Sequence, residues 1–225
     1  MSASTILMKT LFKVVTRMRV IRHNRRQTVA LRRWEQEGRH TPPPHLFKQS
    51  IIRDYARLSN AESLVETGTY RGDMVEAMKS DFKEIYSIEL SEKYFEKAVR
   101  RFSGDQRIHL LQGDSAIHLG SVVGQLKGPA IFWLDGHYSA GDTARGINDT
   151  PVYQELEQIL ARPEHLLGHV ILVDDARCFG TDPGYPSTDE LQAFFEHRGV
   201  DCHFEIADDI IRITHLKAKQ RSVAA

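Results

Sequence analysis

A chain of 225 residues has room for one domain and an appendage. Its 30 basic and 30 acidic side chains cancel, but residues 1–33 hold nine Lys or Arg and no acid, leaving 21 basic against 30 acidic side chains beyond them. A basic tail on an acidic body argues against wholesale nucleic-acid binding, and no apolar run reaches membrane-spanning length.

Cys178 and Cys202 are far apart and in no CxxC arrangement, which argues against a disulfide framework or thiolate metal site. Reduced thiols and an N-terminus whose apolar residues are interrupted by Lys9 and Lys13 give a cytoplasmic expectation. Residues 5–22 place Ile6, Leu7, Leu11, Val14, Val15, Met18 and Ile21 at helical spacing among basic residues, and Arg25, Arg26, Arg32 and Arg33 extend the charge. Four readings of residues 5–33 stay open: a helix on an anionic membrane surface, an arm on a partner subunit in a homo-oligomer, an organelle presequence, and a plain solvated tail. Pro42-Pro43-Pro44 stops any helix and sets the expected boundaries: a basic arm over 1–41, a folded domain over 42–218 and a tail over 219–225.

The folded part then alternates. Residues 45–59 read as a helix packed before the first strand, with His45 and Lys48 either reaching a ligand or, as the plainer reading, surface side chains. Ser63–Glu66 is a strand and Asp73–Lys79 a helix; Glu84–Glu89 is a strand and Ser91–Phe102 a helix with Ser91 as N-cap. Ile108–Gln112 and Ala130–Leu134 are strands, Thr150–Ala161 a helix, Val170–Val173 a strand and Ser187–His197 a helix. Cys202–Ile206 and Ile210–His215 flank Ala207-Asp208-Asp209 as an antiparallel hairpin. Continuous apolar strands alternating with helices predict an α/β domain, its parallel strands covered on both faces.

Leu64 to Gly72 (Leu-Val-Glu-Thr-Gly-Thr-Tyr-Arg-Gly) is the stretch with the most chemical content. A strand running into a glycine turn and then a helix lets backbone approach a nucleotide. Gly68 and Gly72 do not have the GxGxxG spacing of a dinucleotide site, which counts against an NAD-dependent oxidoreductase. Glu66, two residues before Gly68 and followed by Gly72, resembles motif I of class I S-adenosylmethionine (SAM) methyltransferases. The resemblance covers about residues 45–216. It implies a Rossmann-like, mostly parallel seven-stranded sheet of order 3-2-1-4-5-7-6, with a terminal antiparallel hairpin and helices on both faces.

Strands one to five end at Glu66, Glu89, Asp114, Asp135 and Asp174-Asp175, the end where ligands bind open α/β sheets. Glu89, about twenty residues past the glycine turn, suits both ribose hydroxyls of an adenosine. From the resemblance, Gly68, Tyr70, Gly72, Asp114 and Ser115 join it in holding SAM, with Asp114 near the adenine and Glu66 near the methionine end; a helix-capping role for Ser115 is the plain alternative. Asp135, Asp174 and Asp175 form a second group that needs protons or a cation. All-oxygen donors suit Mg²⁺ or another divalent ion, as in the metal-dependent sugar and catechol O-methyltransferases that the chain resembles. The opposing reading has Asp174 and Asp175 pointing apart.

His137 and Asp135 are the catalytic candidates, His137 as general base, as metal ligand or as a structural histidine. The resembling sugar enzymes place their base three residues after the metal aspartate, whereas His137 follows Asp135 by two. Residues 136–150 read as a binding loop or lid and residues 176–186 as a second loop, with Tyr138, Arg145 and Arg177 as substrate contacts or, for Arg177, an ion pair with a neighbouring acid. The expectation is a SAM-dependent O-methyltransferase acting on a sugar, glycan or other small polyhydroxylated acceptor with divalent-metal assistance. A non-catalytic membrane-surface or assembly protein on the same fold is the alternative. No Asn/Asp-Pro-Pro-Tyr-like motif follows strand four, which argues against a nucleic-acid base as acceptor.

Overall fold

The computed structural model describes residues 25–136, 150–162, 166, 168–182 and 184–218. The predicted helix over 5–22, the tail over 219–225, and His137, Tyr138 and Arg145 lie outside the described residues. The chain divides into two units, residues 1–50 and 51–225.

In the first unit a helix covers residues 25–36 (α1), where the sequence reads only as a basic stretch. Trp34 is buried and packs against Phe47 in a tilted pair, 4.8 Å between centroids, and the Arg39 guanidinium lies over both rings. The next helix, α2 (His45–Ser59), begins directly after Pro44 and runs across the division between the units. Proline just ahead of a helix costs no intrahelical bond, because the first N–H groups have no partner within the helix.

The second unit is built on β1 (Ser63–Thr67), β2 (Glu84–Glu89), β3 (Ile108–Gln112), β4 (Ala130–Leu134), β5 (Val170–Val173), β6 (Val200–Ala207) and β7 (Ile210–Ala218). They form one sheet of order β3-β2-β1-β4-β5-β7-β6, the order the resemblance implies. The five strands from β3 to β5 are parallel; β7 joins antiparallel to β5 and β6. Between them run α3 (Asp73–Met78), α4 (Glu92–Phe102), α5 (Ser115–Val123), α6 (Val152–Leu160) and α7 (Thr188–His197). The sequence reading touches α5 only through the alternative that Ser115 caps a helix there.

Both faces of the sheet are covered. Val65, Ile88, Phe132 and Leu134 pack with Leu119 and Val122 of α5, Leu156 and Ile159 of α6, and Phe195 of α7. Leu64, Ile85, Ile131 and Trp133 pack with Val75 and Met78 of α3, Phe102 of α4 and Ile52 of α2. Successive strand residues point to opposite faces, so an unbroken apolar run is what a doubly covered strand requires. Each fully buried side chain of this size contributes about 1.5–3 kcal/mol. Ser187 caps α7 in a capping box: its hydroxyl accepts from Glu190 N–H, and Glu190 accepts from Ser187 N–H at 2.7 Å. Ser91 occupies the N-cap position of α4 without a side-chain cap bond; instead its N–H serves the site. Among the described residues no helix is long and apolar enough to cross a membrane.

Candidate active site at the carboxyl ends of the strands

Backbone bonds continue one step past the strands and align the turns in a row. Gly113 N–H donates to Glu89 O at 2.9 Å, Gly68 N–H to Ile88 O at 2.9 Å, Asp135 N–H to Thr67 O at 3.1 Å and Asp174 N–H to Leu134 O at 3.0 Å. Glu89, Asp135 and Asp174 therefore stand at matched heights along one edge.

The β1 turn needs its glycines. Gly68 has φ +88°, and a Cβ there would lie 2.5 Å from the Asp135 carbonyl oxygen. Only glycine lets the β1 and β4 turns meet this closely. Gly72, at the N-cap of α3, has φ +72°, and its missing Cβ leaves room for the Phe102 ring. Between them Tyr70 also takes a positive φ and is 40 % exposed, its ring 4.6 Å from that of Tyr94.

This turn delivers Tyr70 N–H to Glu89 Oε2 at 2.6 Å, while Ser91 N–H reaches Oε1 at 2.8 Å. Glu89 is buried and its pKa is raised by desolvation, against the pull of the two N–H bonds. A carboxylate offers about four lone-pair positions, so two remain for a ligand. Both hydrogen bonds orient the group before any ligand arrives.

Glu66 is more deeply placed. It accepts from the Ser87 hydroxyl, which is 2.6 Å from Thr69 Oγ1. Burial pushes its pKa up to about 8, with the charges of Glu89 and Asp73 adding to the rise, so it is a neutral acid at neutral pH. Asp114 caps α5, its Oδ1 accepting from Ala116 N–H at 2.9 Å. The capping falls to Asp114, and the Ser115 hydroxyl turns inward to Glu155 at 2.6 Å.

Glu155 escapes the sequence reading altogether. It is fully buried on α6, and burial pushes its pKa up to about 7 despite the opposing Ser115 and Thr67 hydroxyls. Its position carried the signal: Val152, Leu156 and Ile159 form an apolar helical stripe, and Glu155 falls within it.

The second group of acids behaves differently. Asp174 is buried and its Oδ1 accepts from Asp175 N–H. Asp175 adopts a left-handed backbone at the start of a short 3₁₀ turn, Ala176–Cys178, and its carboxylate pairs with Arg177 at 2.9 Å. Arg177 also pairs with the buried Asp209, which accepts from Arg177 N–H at 2.8 Å. Arg177 therefore has the neighbouring acids as its partners. Among the described residues no group of three or more His, Cys, Asp or Glu side chains could hold a metal ion. The described acids do not fit a three-carboxylate ion site, because Asp175 is engaged by a guanidinium.

No protein-family model and no curated protein matches the chain. Solved structures do resemble it. The O-methyltransferase TomG of Streptomyces achromogenes, in complex with SAM, is 15% identical with a TM-score of 0.54, over 85% of this chain and 89% of that one. An SAH-bound methyltransferase of Podospora anserina is 18% identical, TM-score 0.51, over 77% and 78% of the two chains. An O-methyltransferase of Bacillus cereus with SAH is 15% identical, TM-score 0.51, over 84% and 90%. The chain shares the fold of these SAM-dependent methyltransferases.

Proposed function

We propose that this chain transfers a methyl group from SAM to a hydroxyl of a small polyhydroxylated acceptor, such as a sugar or glycan. The observation that carries the reading is Glu89: a buried carboxylate at the strand edge, held by Tyr70 and Ser91 N–H, with acceptor capacity left for two ribose hydroxyls. Tyr70 and the turn from Gly68 to Gly72 flank the ribose, and Asp114 lies toward the base. Bound SAM supplies an electrophilic methyl on a positively charged sulfonium. Glu89, Asp135 and Asp174 make the edge favourable for that charge.

Asp135, placed by its backbone bond to Thr67, is the described residue suited to take the proton from the acceptor hydroxyl; His137, two residues on, is the second candidate. Holding the hydroxyl in line with the methyl accounts for much of the rate. In this reading the acceptor hydroxyl is activated by the protein's own carboxylate, without a metal ion. Chelation tests that point: transfer retained in EDTA goes with Asp175 paired to Arg177, whereas loss reversed by Mg²⁺ requires Asp175 to leave Arg177.

Calorimetric titration with SAM and S-adenosylhomocysteine (SAH) is the deciding experiment. Binding by wild type that is weakened roughly thirtyfold in Glu89→Ala, with methylated product from hydroxylated acceptors seen by mass spectrometry, is the expected outcome. Folded protein that binds neither ligand would overturn the reading.

A further inference from the structure

Under the α5/α6 face of the same edge lies a polar cluster that the proposed reaction does not use. Glu155 Oε1 accepts from the Ser115 hydroxyl at 2.6 Å. Thr67 is fully buried at the end of β1. A Cβ built on Gly136 would lie 3.1 Å from Thr67 Oγ1 and 3.3 Å from Glu155 Oε1, so both groups press on the first residue after Asp135. One carboxyl thus lies among the ends of three strands: bonded to Ser115 past β3, near enough to the Thr67 hydroxyl of β1 to feel it, and just off Gly136 past β4.

Two atoms of the cluster are unsatisfied. Among the described residues, Glu155 Oε2 and Thr67 Oγ1 are buried with no hydrogen-bond partner. The Thr67 hydroxyl is close enough to pull on the Glu155 carboxyl electrostatically without meeting hydrogen-bond geometry. A buried polar atom left unpaired costs about 1–3 kcal/mol, and two in one cluster call for a shared solution.

We infer that Glu155 is a positioning residue of the cofactor site: as a neutral acid it accepts from Ser115 through one oxygen, donates to Thr67 through the other, and so fixes the β1, β3 and β4 turns relative to one another beneath the bound ligand. The inference rests on the proposed SAM reading for the identity of that ligand. A protonated carboxyl can accept from one hydroxyl and donate to the other at the same time, leaving the Thr67 O–H free to donate elsewhere. Ionisation removes the donated proton and leaves a buried charge with Ser115 as its only aligned donor among the described residues. Burial pushes the carboxyl up to about 7, and the nearby charge of Asp114, at the N-cap of α5, adds to the rise, so the neutral form is populated near neutral pH. The tie loosens as pH rises through that value.

The test uses Glu155→Gln, Glu155→Ala and Ser115→Ala in the full chain. The amide of Gln keeps both the acceptor and the donor and cannot ionise. SAH affinity in wild type should weaken between pH 6 and pH 8, while Glu155→Gln should match wild type at pH 6 and hold that affinity at pH 8. Glu155→Ala and Ser115→Ala should weaken SAH binding by roughly tenfold. Glu66 also titrates near this range but is present in every variant, so the difference between wild type and Gln isolates Glu155.

Hydrogen exchange without ligand gives a second readout: residues 66–72 and 134–136 should exchange faster in Glu155→Ala and as in wild type in Glu155→Gln. A Gln variant that follows the wild-type pH profile, or Ala variants that bind SAH and exchange as wild type does, would overturn the inference. Should Glu155→Ala fail to fold, Ser115→Ala decides. If wild type binds no SAH, the cofactor reading fails by itself, and the exchange experiment still decides whether Glu155 ties the turns.

Discussion

The two halves of the strand edge are built on different plans. Under β1, β2 and β3 the prominent acids are met by the backbone or a hydroxyl: Glu89 by Tyr70 and Ser91 N–H, Glu66 by Ser87, Asp114 by Ala116 N–H. Under β4 and β5 a cation enters, and through it the tie reaches a distant turn. Asp175 is held by Arg177, and Arg177 by Asp209 from the β6–β7 turn. A ligand common to many enzymes can be met by a rigid, pre-oriented half, since orientation is then complete before binding. A variable acceptor is better met by groups whose placement depends on loops.

That contrast can be broken most sharply at Asp135. On the proposed mechanism Asp135→Asn should lower turnover by roughly a hundredfold or more while SAH affinity stays within about threefold, a separation of kcat from binding seen in steady-state kinetics and calorimetry. Glu89→Ala should do the reverse. It leaves Tyr70 and Ser91 N–H without their acceptor and removes the ribose ligand, so SAH affinity should fall by roughly thirtyfold, about 2 kcal/mol.

Glu66 sharpens the comparison through pH. Its carboxyl stays protonated up to about 8 in the fold and ionises from its ordinary 4.5 in the unfolded chain. Between those values the folded state binds the extra proton, so this group makes stability fall as pH rises. Urea denaturation from pH 5 to 8 should show that slope in wild type and a flatter one in Glu66→Gln. The smallest effect is expected at Arg177. Arg177→Ala leaves the buried Asp209 carboxylate without its cation, but the guanidinium is 39% exposed, so roughly 1–2 kcal/mol of stability should be lost.

These differences also explain what the sequence could reveal. β4 and β5 are legible because Ala-Ile-Phe-Trp-Leu and Val-Ile-Leu-Val are buried on both faces, and such runs have few other uses in a soluble α/β domain. The Glu89 position is legible because the spacing from a glycine turn to the next strand end is set by one local βαβ unit. Helix α5 is not: it starts immediately after Gly113-Asp114 and contains Gly120, whose absent Cβ makes room for Gln158 of α6. Its helical form is secured by packing that the local pattern does not announce. Glu155 was hidden for a related reason. A glutamate in a helix reads as solvated, and only the pairing of α5 with α6 buries it. The Asp174-Asp175 pair was visible as two acids, but the engagement of Asp175 by Arg177 and Asp209 depends on the β6–β7 turn folding back, a contact across more than thirty residues.

The ladder that runs past the strand ends has a practical meaning for redesign. Asp135 and Asp174 are registered by backbone bonds of their own N–H groups to Thr67 and Leu134. The distance between the two carboxylates is therefore a property of the sheet: substitutions elsewhere that leave the register of β1, β4 and β5 intact leave them standing as fixed jaws.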